Sequence, residues 1–217
     1  MSEAMFFLLL DGIVETLLMT FLSGFFGLVI GLPLGVLLFV TRRGQIKENR
    51  MLNIILSTMV NIFRAIPFII LIVWMIPFTR MLVGTSIGMW AALVPLSVGV
   101  APFIARMVEN SLLEIPNGLI EASRSMGATP FQIVRKVLLP EALPSLINCV
   151  TIALITLVGF SAMGGAVGAG GLGQIAYKYG YVGYDLTIMN IVLVLLVLLV
   201  FIIQFIGDFL SKKVDRR

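Results

Sequence analysis

Residues 110–140 read NSLLEIPNGLIEASRSMGATPFQIVRKVLLP, and they separate long apolar runs on either side. In or at the edge of this stretch stand four basic residues (Arg106, Arg124, Arg135 and Lys136) and four carboxylates (Glu109, Glu114, Glu121 and Glu141). The chain as a whole is 59% hydrophobic and only 12% charged, against about 25% charge in soluble domains. A charged stretch this long, set in a chain this apolar, reads as a structured loop of a membrane protein. A surface of that kind on one side of a bilayer is suited to docking a partner.

The loop carries helix-end signals. Ser111-Leu112-Leu113-Glu114 has the spacing of a capping box, in which a hydroxyl and a carboxylate three residues apart satisfy free N–H groups at a helix start. Pro116 suits the first position of a following helix, where no N–H is needed. Over 117–126 the helical reading puts Leu119, Ile120, Ala122 and Met126 on an apolar side. Gly127 stands where a left-handed C-terminal cap is wanted. Thr129-Pro130-Phe131-Gln132 is a second start, running to about Leu139 before Pro140 ends or kinks it. The expectation is helix, glycine turn, helix.

Outward from the loop, a membrane span needs about 20 apolar residues. Five segments qualify, at about 14–40, 52–78, 84–105, 143–166 and 187–210. The expected fold is therefore all-α, an integral membrane bundle of five transmembrane helices. Residues 1–12 are expected outside as an N-terminal segment, and 205–217 as the end of the last span with a basic tail. Twelve of the fifteen basic residues fall in the loops at 41–51 and 106–142 or in that tail. Only Arg80 and Lys178 fall on the other side, where Glu3, Asp11, Glu15 and Asp185 stand. The excess of Lys and Arg on cytoplasmic loops predicts N-out, C-in. It also accounts for the net charge of +4 without nucleic acid. Residues 1–11 have no basic stretch before their apolar run, which reads against a cleaved signal peptide.

Histidine is absent and Cys149 is the lone cysteine, in an apolar run. This excludes disulfides, haem, most transition-metal centres and histidine-based catalysis, and Cys149 is read as a packing residue. No Gly-x-x-x-x-Gly-Lys-Ser/Thr phosphate loop occurs, so any ATP chemistry belongs to another subunit. Gly168-Ala169-Gly170-Gly171-Leu172-Gly173 fits the dinucleotide spacing but follows an apolar span rather than a strand. It is read as bending backbone near the pore's outer end. Gly27, Gly31 and Gly35 share one helix face and suit close packing within the bundle, with a homodimer contact as the other reading. Tyr177, Tyr179, Tyr181 and Tyr184 precede the fifth span, as an interfacial belt or a contact for an external partner.

Glu121, Ala122, Gly127, Val137, Leu139 and Pro140 together resemble the EAA signature of bacterial ABC importer permeases. Ser123 stands where the family usually has a second Ala, and Val137 where it often has Ile. Glu15-Thr16-Leu17, Arg64-Ala65-Ile66-Pro67 and Gly170-Gly171-Leu172-Gly173 look like the amino-acid-importing branch. The run from Phe160 to Gly168 looks closest to methionine import permeases. The resemblance covers about residues 13–204 and implies a type I permease domain in the bacterial inner membrane. It implies a non-catalytic, homodimeric pore subunit without cofactors, working with two cytoplasmic ABC ATPases and a periplasmic or lipid-anchored substrate-binding protein. Glu121, Ala122, Ser123, Arg124, Met126, Gly127, Ala128 and Pro130 are then the coupling surface seated on an ATPase.

Candidates for the translocation path are Arg64, Pro67, Phe160, Ser161 and Met163. Arg64 lies about 13 residues into the second span, so about 20 Å along it, and an intramembrane charge is a functional-site candidate by default. Two readings are open: it snorkels to the interface near a Pro67 kink, or it faces the aqueous path and attracts a substrate carboxylate. Phe160 and Met163 either pack or line a pore that takes a soft apolar side chain. An importer of another amino acid or small anion is the nearest alternative. A stand-alone carrier would call for ionisable relays and often inverted repeats, and a membrane enzyme for paired carboxylates or a metal cluster. None is evident.

Overall fold

The computed structural model describes residues 3–215, so Arg216 and Arg217 of the expected basic tail lie outside the described residues. All regular structure of the described chain is helical: α1 (Glu3–Thr41), α2 (Arg50–Ala65), α3 (Phe68–Trp74), α4 (Ile76–Val83), α5 (Met89–Leu113), α6 (Asn117–Ser125), α7 (Pro130–Ile133), α8 (Leu139–Glu141), α9 (Leu143–Gly165), α10 (Gly171–Ile175) and α11 (Leu186–Val214). Two π-helical stretches, Val134–Leu138 and Ala176–Val182, join α7 to α8 and extend α10. Four helices (α1, α5, α9 and α11) are long and apolar enough to cross a membrane, and the bent pair α2–α3 meets the same length and hydropathy when its two helices are taken together.

The boundaries differ from expectation in physically readable ways. Residues 3–12 are helical and continuous with the first span, making α1 39 residues long, about 58 Å at the α-helical rise. The second span is not one helix. It breaks at Ile66–Pro67 with a 99° bend between α2 and α3, because proline has no N–H to continue the ladder and holds the preceding residue out of the helical region. The third span runs on to Leu113. Ser111 therefore does not start a helix: it is buried inside α5, and its hydroxyl donates to the Met107 carbonyl. Residues 167–186, expected as loop, contain α10 and a π-helical stretch. The last helix reaches Val214, beyond the expected span end.

Close backbone approach holds α1 to α5. A Cβ built on Gly31 would lie 2.7 Å from the Ala101 carbonyl oxygen, and one on Gly35 would lie 2.5 Å from that of Ala105. These glycines are thus used inside the chain, as the bundle-packing reading expected. Met19, Leu96, Val100, Ile104, Val108, Leu138 and Leu157 fill the space between α1, α5 and α9. A second cluster, with Leu9, Leu172, Ile175, Ile188 and Val192, seats α10 between the first half of α1 and α11.

α10 is assembled by a long-range cap. The Gly171 N–H donates to Glu15 Oε2 at 2.6 Å and the Leu172 N–H to Thr16 Oγ1 at 2.9 Å. Two separate sequence phrases, Glu15-Thr16 and Gly170-Gly171-Leu172, are one contact. Helix N–H groups with no partner in their own short helix are satisfied by side chains 156 residues away in sequence.

Candidate functional sites: a capped helix at the charged end and a cavity at mid-span

At the charged end, α6 stands out from the bundle, with only Ile120 and Ser123 of its side chains buried. The expected apolar side is thus mostly outward: Ile120 is inside, while Leu119, Ala122 and Met126 are exposed. Met126 is 80% exposed and Phe131, on the next helix, 70%. Glu121, Arg124, Gly127 and Pro130 share this exposure, and Ala128 is half-buried. Ser123 is buried, and its hydroxyl donates back to the Leu119 carbonyl at 2.7 Å. Arg124 donates to the Gln45 carbonyl at 3.2 Å, tying α6 to the loop after α1.

Local chemistry holds this shape. Gly127 has φ +79, the left-handed region that side-chain-bearing residues avoid. The Ala128 N–H reaches the Ser123 carbonyl and the Gly127 N–H that of Arg124, the paired bonds of a Schellman cap. The next helix starts with the expected capping box: Thr129 accepts from the Gln132 N–H, and Gln132 Oε1 accepts from the Thr129 N–H at 2.8 Å. Pro140 does not end this helix. It sits in the first turn after the π-helical stretch, and the chain passes through Ala142 into α9 with little interruption. Helical turns thus follow one another from the capped corner into the fourth span, interrupted only by the turn at Ala142.

Beside the corner lies a buried ion cluster. Glu109, only 3% exposed, accepts from Arg106 at 2.6 Å and from Arg42 at 3.4 Å. The other arm of Arg106 donates to Ser57 Oγ at 2.9 Å and Asn61 Oδ1 at 2.8 Å. A buried carboxylate is tolerated because it is paired and hydrogen-bonded, and the pairing clamps α2 onto α5. Sequence reading placed Arg106 and Glu109 at the loop's edge but carried no sign that α2 would meet them.

Asn61 lies one turn before Arg64. The Arg64 side chain is exposed and opens into a cavity of about 150 Å³ whose walls include Phe68, Leu71, Gly99, Phe103, Thr156 and Phe160. Phe68 and Phe160 stack, with centroids 4.3 Å apart and planes 2° from parallel. Pro67 is exposed at the break between α2 and α3. Of the other expected path residues, Met163 is 50% exposed. Ser161 is 1% exposed, and its hydroxyl donates to the Val158 carbonyl, so it points into the bundle. Phe68, Phe103 and Thr156 come to the cavity from three different helices; no local pattern marks them. Among the described residues no group of three or more His, Cys, Asp and Glu could hold a metal ion.

Residues 27–217 match the family model described as "Binding-protein-dependent transport system inner membrane component". The "D-methionine transport system permease protein MetI" of Salmonella typhimurium is 76% identical over 165 residues, 76% of each chain. The "Probable D-methionine transport system permease protein MetI" of Vibrio cholerae is 54% identical over 210 residues, 97% of this chain and 93% of that one. Among solved structures, the "MetNI methionine ABC transporter" in its inward facing conformations superposes with a TM-score of 0.98 at 73% identity over 100% of both chains. The chain therefore has the fold of a type I ABC importer permease. With family model, relatives and fold in agreement, this chain belongs to the binding-protein-dependent transport system inner membrane components, multi-pass permeases of the bacterial inner membrane.

Proposed function

We propose that the chain is the pore-forming permease of an ATP-driven methionine importer, working as a homodimer with two ABC ATPases and a substrate-binding protein. The substrate reading is supported by the methionine systems to which the chain is so similar. Orientation N-out, C-in follows from the basic residues, which puts α6 in the cytoplasm and α10, with the tyrosines that follow it, outside. No ATP-binding phosphate loop occurs in the sequence, so the energy must enter from a partner through a protein surface.

The single observation that carries the coupling role is the corner at Ser123–Gln132. It is fixed by its own caps, exposes Met126, Phe131 and Arg124 beside the exposed Glu121, and leads through successive helical turns into α9. A displacement of the corner by an ATPase is passed through these turns to α9, which carries Thr156 and Phe160 on the cavity wall. The exposed Met and Phe supply apolar anchors and the flanking charges supply register, the usual anatomy of a docking patch.

The test is reconstitution. Vesicles holding the permease, its neighbouring ATPase and its binding protein are expected to take up methionine only with internal ATP. Glu121→Lys and Gly127→Asp are expected to abolish uptake together with ATPase retention during purification. Intact uptake and retention in both variants would remove the coupling role. ATP-driven uptake of a different amino acid, with none of methionine, would replace the substrate.

A further inference from the structure

The geometry points to the Arg64 cavity as a low-affinity binding site inside the permease for the substrate's carboxylate, a recognition step separate from that of the binding protein. This rests on the importer reading above and names the chemistry of the transported molecule at mid-membrane.

Depth comes first. The walls of the cavity include Gly99 and Phe103 near the middle of α5 (Met89–Leu113) and Thr156 near the middle of α9 (Leu143–Gly165), with Phe160 one turn further along α9. Arg64 therefore opens at mid-span rather than at the interface, which disfavours the snorkelling reading. A cation at that depth persists only with a partner or a water-filled surround. Yet no hydrogen bond or ion pair to Arg64 exists among the described residues. The cavity has no carboxylate in its lining. Five guanidinium donors, held in a rigid fork that fits a carboxylate, face an unfilled space.

The remaining walls divide in a way that fits an apolar amino acid. Phe103 and the stacked Phe68–Phe160 pair offer aromatic surface, against which a thioether packs well. Thr156 donates its own proton to the Ile152 carbonyl at 2.8 Å, which leaves its oxygen as an acceptor for an ammonium group. At about 150 Å³ the space is below the roughly 300–1,000 Å³ of drug-sized pockets, so it takes a small molecule. Arg64 holds the carboxylate, Thr156 the ammonium and the aromatic wall the side chain. The position of Arg64 follows α2, which the Arg106–Asn61 bond clamps one turn earlier.

The experiment is equilibrium binding of radiolabelled methionine to the purified permease–ATPase complex without binding protein. Methioninol, in which a hydroxyl replaces the carboxylate, is the competitor. Wild type is expected to bind methionine saturably and to prefer it over methioninol by about tenfold or more, the scale of one charge-assisted hydrogen-bonded pair. Arg64→Gln is expected to lose that preference and to weaken for methionine by a similar factor; Arg64→Lys is expected to recover part of both. Only protein that co-purifies with the ATPase is scored, so misfolded variant does not enter. Absence of saturable binding by wild type, equal binding of the two compounds, or unchanged methionine binding by Arg64→Gln each overturns the inference. Uptake by wild-type vesicles separates the two levels. If they take up no methionine, the substrate reading fails. If they do, and Arg64→Gln binds methionine like wild type, only the carboxylate site fails.

Discussion

The corner around Gly127 and the cavity around Arg64 are built in opposite ways. The corner is made by neighbours in sequence: Ser123 with Ala128, Arg124 with Gly127, Thr129 with Gln132. The cavity is made by strangers: Arg64, Phe103 and Phe160 meet only because three spans pack. A locally made element keeps its shape when its surroundings shift, so it can be pushed as a unit. A site shared among spans changes shape whenever those spans move. That is the division an ATP-driven pore requires, with a stiff handle at one end and a deformable site in the middle.

Substitutions can break this contrast, and the largest effect belongs to the bundle. Gly35→Leu drives a side chain into the Ala105 carbonyl and Val108, forcing α1 from α5. Overpacking costs about 1–3 kcal/mol or more; against backbone the upper end is expected, with loss of folded protein on size-exclusion chromatography. Arg106→Ala comes next. It strips Glu109 of its nearest partner and α2 of its clamp. Removing one partner of a buried pair costs about 3 kcal/mol, softened here because Arg42 remains. The midpoint of thermal unfolding of the purified complex should fall clearly.

Changes at the corner should look different. Gly127→Val places a β-branched residue at φ +79, at a cost of about 1–2 kcal/mol. The unfolding midpoint of the bundle should hardly move, while ATPase retention falls. Thr129→Ala removes one capping bond, worth about 1 kcal/mol, and should give a milder version of the same split. Equal loss of bundle stability and ATPase binding in all four variants would erase the distinction between handle and site.

The same contrast decides what was legible in the sequence. The Gly127 turn and the Thr129 box could be read because their partners lie within five residues. The span count could be read because lipid demands long apolar runs. Ser111-x-x-Glu114 misled because the same short pattern also fits inside a helix, where Ser111 bonds back to Met107. α10 was missed because a glycine-rich run has weak helix propensity; its cap is supplied by Glu15 and Thr16. The sharp break at Pro67 was read only as a kink, which left the surroundings of Arg64 undecided until the walls of its cavity were known. The ion cluster at Glu109 was invisible for the same reason: Ser57 and Asn61 carry no mark of their partner.

The central claim is that force enters through the exposed face of α6. The most direct measurement is the affinity of the purified ATPase for permease in lipid nanodiscs, comparing wild type with the Glu121→Lys, Met126→Asp double variant. The account predicts a loss of about tenfold or more, since an exposed apolar anchor is replaced by a carboxylate and a register-setting charge is reversed, with an unchanged unfolding midpoint for the bundle. Wild-type affinity in the double variant would contradict it.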